Sequence, residues 1–574
     1  MPLRSRTSAL RSVAPRRRAL LTAAAVVLSM AVHTSAMAAG PPSVPGWPTA
    51  TELALMSGAP TGTAQSVQVN SVSCPETGNC VAVGTFTDGS ATTQMMYAIE
   101  RNGVWNSINE VTPPSNAIAG PRSLSSVSCT GVGYCQAVGY YKDNESGDLL
   151  RGLLMTEAGG VWGPAVQSRT YPNEDVTYPG DGLGSISCSS AGNCLAGGFY
   201  NDTTSSGQPM VISETDGSWG TPVELSQPAG SFGVPGALGV HTACAAQGDC
   251  VAAAAYLLSE GPVDYRAMVA TETNGVWGAA LELTLPTNAN TVIGQQVVHV
   301  SDVACSSPGN CVVTGDFLAG QQSFPFADTE TAGTWHQAVQ VRLPVDAATQ
   351  TTNNGQKDSI ASVWCANSTN CNAVGWYVYT SATCAYCTRA FTLNEVNGAW
   401  GVPSALPLPN NALSTNESSS LTSIDCAAPS VCTVAGRFAN AYDSGTLRTG
   451  YGAMVTTSLA SQSLTMMVGT KRFTLTAPIT KVTHCVNRAS ALPVSLTTSA
   501  TKGDVTVRSV TVYVGKRRTV VHQLPATEEL SIAGEGKGVQ TLSLVISYRH
   551  SVRKLHRTLK VTSTKSLITK FAVC

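Results

Sequence analysis

The residues of this 574-residue chain that could do chemistry fall into three sets. The first is its eighteen cysteines, fourteen of them in pairs six positions apart: Cys74/Cys80, Cys129/Cys135, Cys188/Cys194, Cys244/Cys250, Cys305/Cys311, Cys365/Cys371 and Cys426/Cys432. Such a pair can close a disulfide or, where two pairs converge, hold zinc. Zinc pairs usually have spacers of roughly two to four residues, so the five-residue spacer favours the disulfide. Cys384 and Cys387 form a Cys-x-x-Cys, which is a redox pair when it caps a helix. Among strands it reads as a loop staple, with a redox or metal role as the alternative. Cys485 and Cys574 remain and are paired by elimination. The second set is carboxylates and aromatics in long connections: Tyr171, Glu174, Asp175, Tyr178 and Asp181 together, Asp143, Glu145 and Asp148 together, and Asn201, Asp202, Glu260, Asp264 and Tyr265 beside them. This mixture suits sugar or cation binding; the plain alternative is solvated polar loops. A glycosidase would need two of these carboxyls roughly 5–10 Å apart, one with a raised pKa. The third set is basic, Lys516-Arg517-Arg518 and the run 548–557 with Arg553 and Lys554. It reads as a solubilising surface or as a platform for anionic polymers. No aromatic stacking pattern accompanies it, so nucleic acid is not expected. His241 and His299 have no nucleophile motif nearby and read as inward polar residues. With no phosphate loop, Gly-x-Gly-x-x-Gly or EF-hand pattern, no cofactor or metal is expected.

The elements that position these residues repeat every 55 to 61 residues, a blade-sized period. After each second cysteine, position +2 is Ala or Val, position +4 is Gly (Ala254 in the fourth copy) and position +6 is aromatic: Phe86, Tyr141, Tyr200, Tyr256, Phe317, Tyr377 and Phe438. Shared parity puts the three on one strand face, where small residues let another sheet approach. Val81 and Val83 make the opposite face apolar as well, so the strand lies within stacked sheets. The cysteines flank a tight hairpin, whose opposed positions come within disulfide reach. In six copies a third strand then runs into a corner such as Asn102-Gly103-Val104-Trp105 or Asp216-Gly217-Ser218-Trp219. Asn-Gly and Asp-Gly accept positive φ at both positions and mark two-residue hairpins. Each copy is therefore a four-stranded antiparallel meander. The seventh lacks the Gly-x-Trp strand, and residues 46–53 resemble it (Gly46-Trp47 through Glu52-Leu53 against Gly217 through Leu225). The expected fold is all-β: a seven-bladed β-propeller over residues 40–459, one disulfide per blade, closed by its N-terminal strand.

Residues 1–39 read as an export leader, with Arg16-Arg17-Arg18 before an apolar run and Ala36-Met37-Ala38 as a cleavage site. The run is too short for a confident membrane span, and the even cysteine count fits a secreted protein. Residues 460–574 carry alternating Val/Thr-rich runs and suit a small β-sandwich, which Cys485 and Cys574 would tie together. Charge divides the chain: 11 basic against 31 acidic residues over 41–459, and 17 against 4 over 460–574.

The unit Ser-x-Ser-Cys, five residues, Cys-x-Ala-Val-Gly-x-aromatic, ending in Asn-Gly-x-Trp, resembles a repeat of secreted bacterial β-propeller proteins, mostly without assigned function. The resemblance covers residues 46–459. The corner also resembles the Asp-box hairpin of sialidase-type propellers, one residue shorter and mostly without its Ser and Asp. Sialidases generally have six blades, and their three-arginine pocket has no match here, so the likeness implies fold rather than activity. With rigid turns at one end and long, unlike connections at the other, recognition belongs to the variable end. The expectation is a secreted, monomeric, non-enzymatic protein. Its propeller loops would bind a glycan or protein, and its basic domain anionic envelope material. The alternatives are a sialidase-like glycoside hydrolase and a structural or adhesive surface protein.

Overall fold

A computed structural model describes residues 47–458 apart from short connecting segments (145–149, 176–179, 204–206, 234–238, 259–263, 293–294, 345, 349–357, 382–383, 416, 430 and 444–447). Beyond these it describes the backbone of the strands in 461–573 and some of their side chains. The expected leader, and Glu145, Asp148, Tyr178 and Glu260, lie outside the described residues. The described chain is all-β, with one 3-10 turn at Gly62–Ala64. No described helix is long and apolar enough to cross a membrane.

Between Thr51 and Thr457 lie seven antiparallel sheets of four or five strands. The third shows the plan. Its first strand, Asp181–Ser190, pairs with Asn193–Asn201, which pairs with Gly207–Thr215. That third strand also takes a short outer strand in two pieces, Ser218–Trp219 and Val223–Glu224. Cys188 faces Cys194 directly in register, and the two are disulfide-bonded with Cα atoms 3.9 Å apart. Cys74–Cys80, Cys129–Cys135, Cys244–Cys250, Cys305–Cys311, Cys365–Cys371 and Cys426–Cys432 are bonded in the same way, at 3.8–4.1 Å. The second cysteine of every pair is buried: Cys80, Cys135, Cys194, Cys250, Cys311, Cys371 and Cys432. It opens the second strand, which is covered on both faces, so these bridges belong to the core and not to the surface. Cys387 is disulfide-bonded too. No described cysteine is free, which excludes a thiolate zinc site among the described residues and suits an oxidising compartment. At the corners Asn102 and Gly103 both take positive φ, 52° and 80°, as a two-residue hairpin needs. Each corner also seats the cysteine turn beside it, Gly103 N donating to Gly78 O at 2.9 Å and Gly217 N to Gly192 O at 2.9 Å.

The glycine at +4 answers to a different constraint from the one its parity suggested. In six sheets the first strand carries a bulge three to five residues before its cysteine, such as Val69/Ser71. The bulge tips a carbonyl at the second strand, and a Cβ on Gly84, Gly139, Gly198, Gly315, Gly375 or Gly436 would overlap it. The glycine thus relieves a clash within its own sheet, not one with the next. The fourth sheet supports this account: Val240 pairs with Ala254 with no bulge there, and alanine fits.

Successive sheets are fastened by the hydroxyls of Ser-x-Ser-Cys. Val127 N and Cys129 N donate to Ser71 Oγ and Ser73 Oγ of the preceding sheet at 3.2 and 3.0 Å. Ile186 N and Cys188 N use Ser126 and Ser128 in the same way. Where serine gives way to aspartate the bond persists, Val363 N donating to Asp302 Oδ2 at 2.9 Å. The seventh sheet returns to the first by the same device, Val72 N to Ser423 Oγ at 3.0 Å. Thr51–Glu52 pairs with Arg448–Thr457, opposing Glu52 to Met454 as Glu224 opposes Met210, so the first described strand is the outer strand of the seventh sheet. The apolar cores lie between sheets; one joins Val138 and Leu154 of the second to Leu183, Ala196 and Tyr200 of the third.

Residues 461–573 form two more sheets. One is Ser461–Val468, Lys471–Pro478, Ala491–Thr498 and Ala526–Ser531; the other runs Cys485–Val486, Arg557–Val573, Gly538–Lys554, Thr506–Val514 and Arg517–Val521. Cys485 pairs in parallel with Ala572.

Candidate functional site

The hairpin cysteines supply no reactive group. Cys80 and Cys432 are 0% exposed, Cys371 2% and Cys135 3%, and each is already bonded to its partner across the turn. They are the disulfides expected from the sequence, and a buried, oxidised sulfur can neither ligate a metal as thiolate nor exchange readily with a thiol in solution.

The aromatic at +6 ends the second strand at the variable end. Where it is tyrosine, the ring is buried and its hydroxyl reaches a polar group on the outer strand or on the connection that precedes the sheet. Tyr141 donates to Asn116 Oδ1 at 3.0 Å and Gln167 Oε1 at 3.1 Å, Tyr200 to Glu224 at 2.6 Å, Tyr256 to Glu282 at 2.7 Å and Tyr377 to Asp346 at 3.1 Å. In three sheets an arginine stands opposite that tyrosine: Arg151, Arg266 and Arg389. Burial and the neighbouring carboxylate push the Tyr200 and Tyr256 phenols well above their usual range, so these hydroxyls stay donors.

Around Arg151 the structure gathers most of the expected loop residues. Arg151 Nε donates to Asp143 Oδ2 at 3.1 Å and its NH1 to Glu174 Oε1 at 2.5 Å. Asp181 Oδ1 accepts from Gly152 N at 2.5 Å, while its Oδ2 is buried without a partner. Burial pushes the Asp181 carboxyl up to about 7, with Glu174 and Asp143 adding to the rise and Arg151 opposing it. Burial likewise raises Glu174 against the pull of Arg151. Asp175 N donates to Asn201 O, Glu174 bridges to Asp202, and Tyr171 stacks on Tyr200 with centroids 4.0 Å apart. Asp202 accepts from Gln208 at 3.0 Å. Asp264 is elsewhere, buried against Arg266 at 3.4 Å. Among the described residues of the expected site, Asp143, Asp175 and Asp181 are buried, and Arg151 pairs with two carboxylates at once. Through Glu174 it clamps residues 171–175. Of the basic residues, Arg518 is exposed beside Tyr513; Arg517, Arg553 and Lys554 lie on strands, their side chains outside the described residues.

A more open site lies among the first strands. A cavity of about 940 Å³ is lined by Gln68, Asn70, Arg122, Ser123, Tyr140 and His241, among others, with no carboxylate. Arg122 is held by uncharged acceptors, Ile118 O at 2.8 Å and Gln94 Oε1 at 3.4 Å. Asn70 donates to Ser123 Oγ and Leu124 O at 2.9 and 2.8 Å. Burial lowers His241 to about 4, so the imidazole is neutral near pH 7. His299, by contrast, pairs with Asp316 at 3.1 Å. Among the described residues no group of His, Cys, Asp and Glu could hold a metal ion. Sequence reading passed over Gln68, Asn70, Arg122 and Tyr140. The available signal was polar residues alternating along a first strand whose other face is apolar.

The opposite end holds a second feature that reading missed. A glutamate stands five residues before each corner tryptophan and pairs across from it: Glu100, Glu157, Glu214, Glu272, Glu330 and Glu395. All six are buried. The spacing was visible in every copy.

No protein-family model and no curated protein matches the chain in sequence. Solved structures similar to it include a polysaccharide lyase, PL25 ulvan lyase (9% identity, 72% of this chain and 95% of that one, TM-score 0.39). Others are the Hadza microbial sialidase Hz136 (10%, 64% and 74%, 0.37) and the polysaccharide lyase Uly1 (9%, 70% and 91%, 0.38). At this identity and superposition the likeness bears on neither activity nor ligand.

Proposed function

We propose that residues 40–459 are a seven-bladed β-propeller acting outside the cell as a non-enzymatic receptor for a glycan, bound at the cavity among the first strands. The observation that carries this reading is the cavity's lining. Amides, hydroxyls, a phenol and a neutral imidazole suit a polyhydroxylated ligand, and Arg122, held only by uncharged acceptors, favours a carboxylated or sulfated one. Two carboxyls that a hydrolase could use, Asp143 and Glu174, are engaged by Arg151, which supports binding over catalysis. Residues 460–574, read as a basic β-sandwich, would hold anionic envelope polymers, an attraction that falls with salt over a Debye length of about 8 Å. A glycan panel tests the first reading. Acidic glycans should bind, and Arg122→Ala should weaken them about tenfold or more. A blank panel, sugar release from the bound glycans, or an unaltered R122A profile overturns it. Co-sedimentation with isolated envelopes at low and high salt, with and without residues 460–574, tests the second.

A further inference from the structure

The six buried glutamates are not equally served. Glu157 receives Arg101 NH2 of the preceding sheet at 3.3 Å. Glu214 receives Gln136 Nε2 of the preceding sheet at 3.0 and 3.2 Å. These donors come from two fixed positions: the residue after the preceding sheet's glutamate, and the residue after its second cysteine. For Glu330 those positions hold Thr273 and Val251, which supply no such donor. Glu330 is 1% exposed, and its Oε2 has no partner.

Thr273, Val251 and Glu330 line one cavity of about 500 Å³ between the fourth and fifth sheets, at the cysteine-turn end. Asp249 and Glu272 line it too, no Lys, Arg or His does, and Val269, Leu281 and Trp335 make its walls apolar. The carboxyls do not form a group that could hold a metal ion. The cavity is thus shaped for an organic cation on an apolar arm. Burial raises both Glu272 and Glu330, a cost that an incoming cation would offset.

We propose that this cleft binds an alkylguanidinium group, free or on an arginine side chain, which takes at Glu330 the place that Arg101 takes at Glu157. The site is separate from the cavity among the first strands, and its success or failure leaves the glycan reading untouched.

The test is calorimetric titration of the full chain with agmatine, with N-acetyl-arginine amide, and with butylurea as a neutral control. One site per chain should take agmatine, with butylurea silent; binding of the arginine amide as well would point to a protein ligand, and its failure to bind would point to a free alkylguanidinium. Thr273→Arg, at an exposed position, would put the chain's own guanidinium in the cleft and should abolish agmatine binding while leaving the fold intact. Glu330→Gln should weaken binding about tenfold or more. No binding of either cation, binding of butylurea equal to that of agmatine, or full binding by T273R overturns the proposal. Should E330Q fail to fold, T273R alone decides.

Discussion

The backbone N–H of Cys74 donates to Asp425 Oδ2 at 2.6 Å across 351 residues of chain. The same carboxylate takes Ser73 Oγ at 3.1 Å, and Cys426 N donates to its other oxygen at 2.8 Å. Asp425 stands where Ser73 and Ser128 stand in earlier sheets, at the join between the last sheet and the first. An ordered series of sheets has one join that chain connectivity does not enforce, and here that join carries a carboxylate at the position where the first three sheets use the hydroxyls of Ser73, Ser128 and Ser187.

Removing that carboxylate should cost more than removing one serine. Asp425→Ala leaves the N–H groups of Cys74 and Cys426 buried without acceptors, a loss of about 1–3 kcal/mol for each group left unmade. Ser128→Ala breaks a single neutral bond and should cost about 1 kcal/mol. Denaturant midpoints compare them. Equal midpoints for D425A and S128A would mean that the join is held by packing alone.

Substituting Gly139 tests the bulge. An alanine Cβ would overlap Ser123 O in the bulged first strand. Gly139→Ala should therefore destabilise by about 1–3 kcal/mol, as overpacking does. Ala254→Gly, where the strand is regular, should cost only about 1 kcal/mol from backbone entropy. A G139A protein as stable as its parent would show that the bulge can relax.

These residues also show what the sequence could disclose. The period, the two-residue corners and the closing strand are local patterns, written in Asn102-Gly103 or in the likeness of Trp47 to Trp219, and each is visible without a partner. The reasons behind other positions are relational. Gly84 looked like a spacer between sheets because the bulge at Val69/Ser71 lies on another strand. The serines of Ser-x-Ser-Cys acquire their acceptor role only when the next sheet brings its N–H groups. Asp143 was read in one connection and Glu174 and Asp181 in another, and Arg151, which ties Asp143 to Glu174, meets them only through strand pairing and the return of residues 171–175. Glu330 differs from Glu157 by what the preceding sheet offers it, and no property of its own segment records that.

Arg151 should behave as a clamp. Arg151→Met keeps much of the apolar stem but takes the guanidinium away from Asp143 and Glu174, a destabilisation of about 3 kcal/mol or more. Loss of the Glu174 bond should also free residues 171–175, so limited proteolysis should cut there earlier than in the parent. An R151M protein with unchanged stability and unchanged cleavage would remove the clamp from the account.

The buried glutamates predict a pH dependence of definite sign. Burial raises Glu100 and Glu395 to about 7. In the unfolded chain they titrate near 4.5, so between about 4.5 and 7 the folded state holds protons that the unfolded state has released. Their contribution is most favourable below the unfolded value and is lost as pH rises through the folded one. Glu395→Gln removes the titration while keeping the shape. It should change the thermal midpoint little at about pH 4.5 and raise it at about pH 8, flattening the parent's decline. A variant whose midpoint tracks the parent's at both pH values would show that Glu395 is ionised and solvated at neutral pH.

The chain end supplies the last test. Cys485 pairs in parallel with Ala572, two residues before Cys574, so a bridge between the cysteines would pin the end of Arg557–Val573 to a strand that has no other neighbour in its sheet. Non-reducing peptide mapping should then recover nine bridges from the eighteen cysteines, with Cys485–Cys574 and Cys384–Cys387 among them. The seven hairpin bridges each close a short loop and should contribute about 2 kcal/mol apiece in the chain-entropy model. Cys485–Cys574 closes a far longer one, and the same model gives it more, about 4–5 kcal/mol. Cys574→Ser should therefore destabilise residues 460–574 more than Cys129→Ser/Cys135→Ser destabilises its own sheet. A free thiol at either Cys485 or Cys574 in the purified parent would refute the pairing.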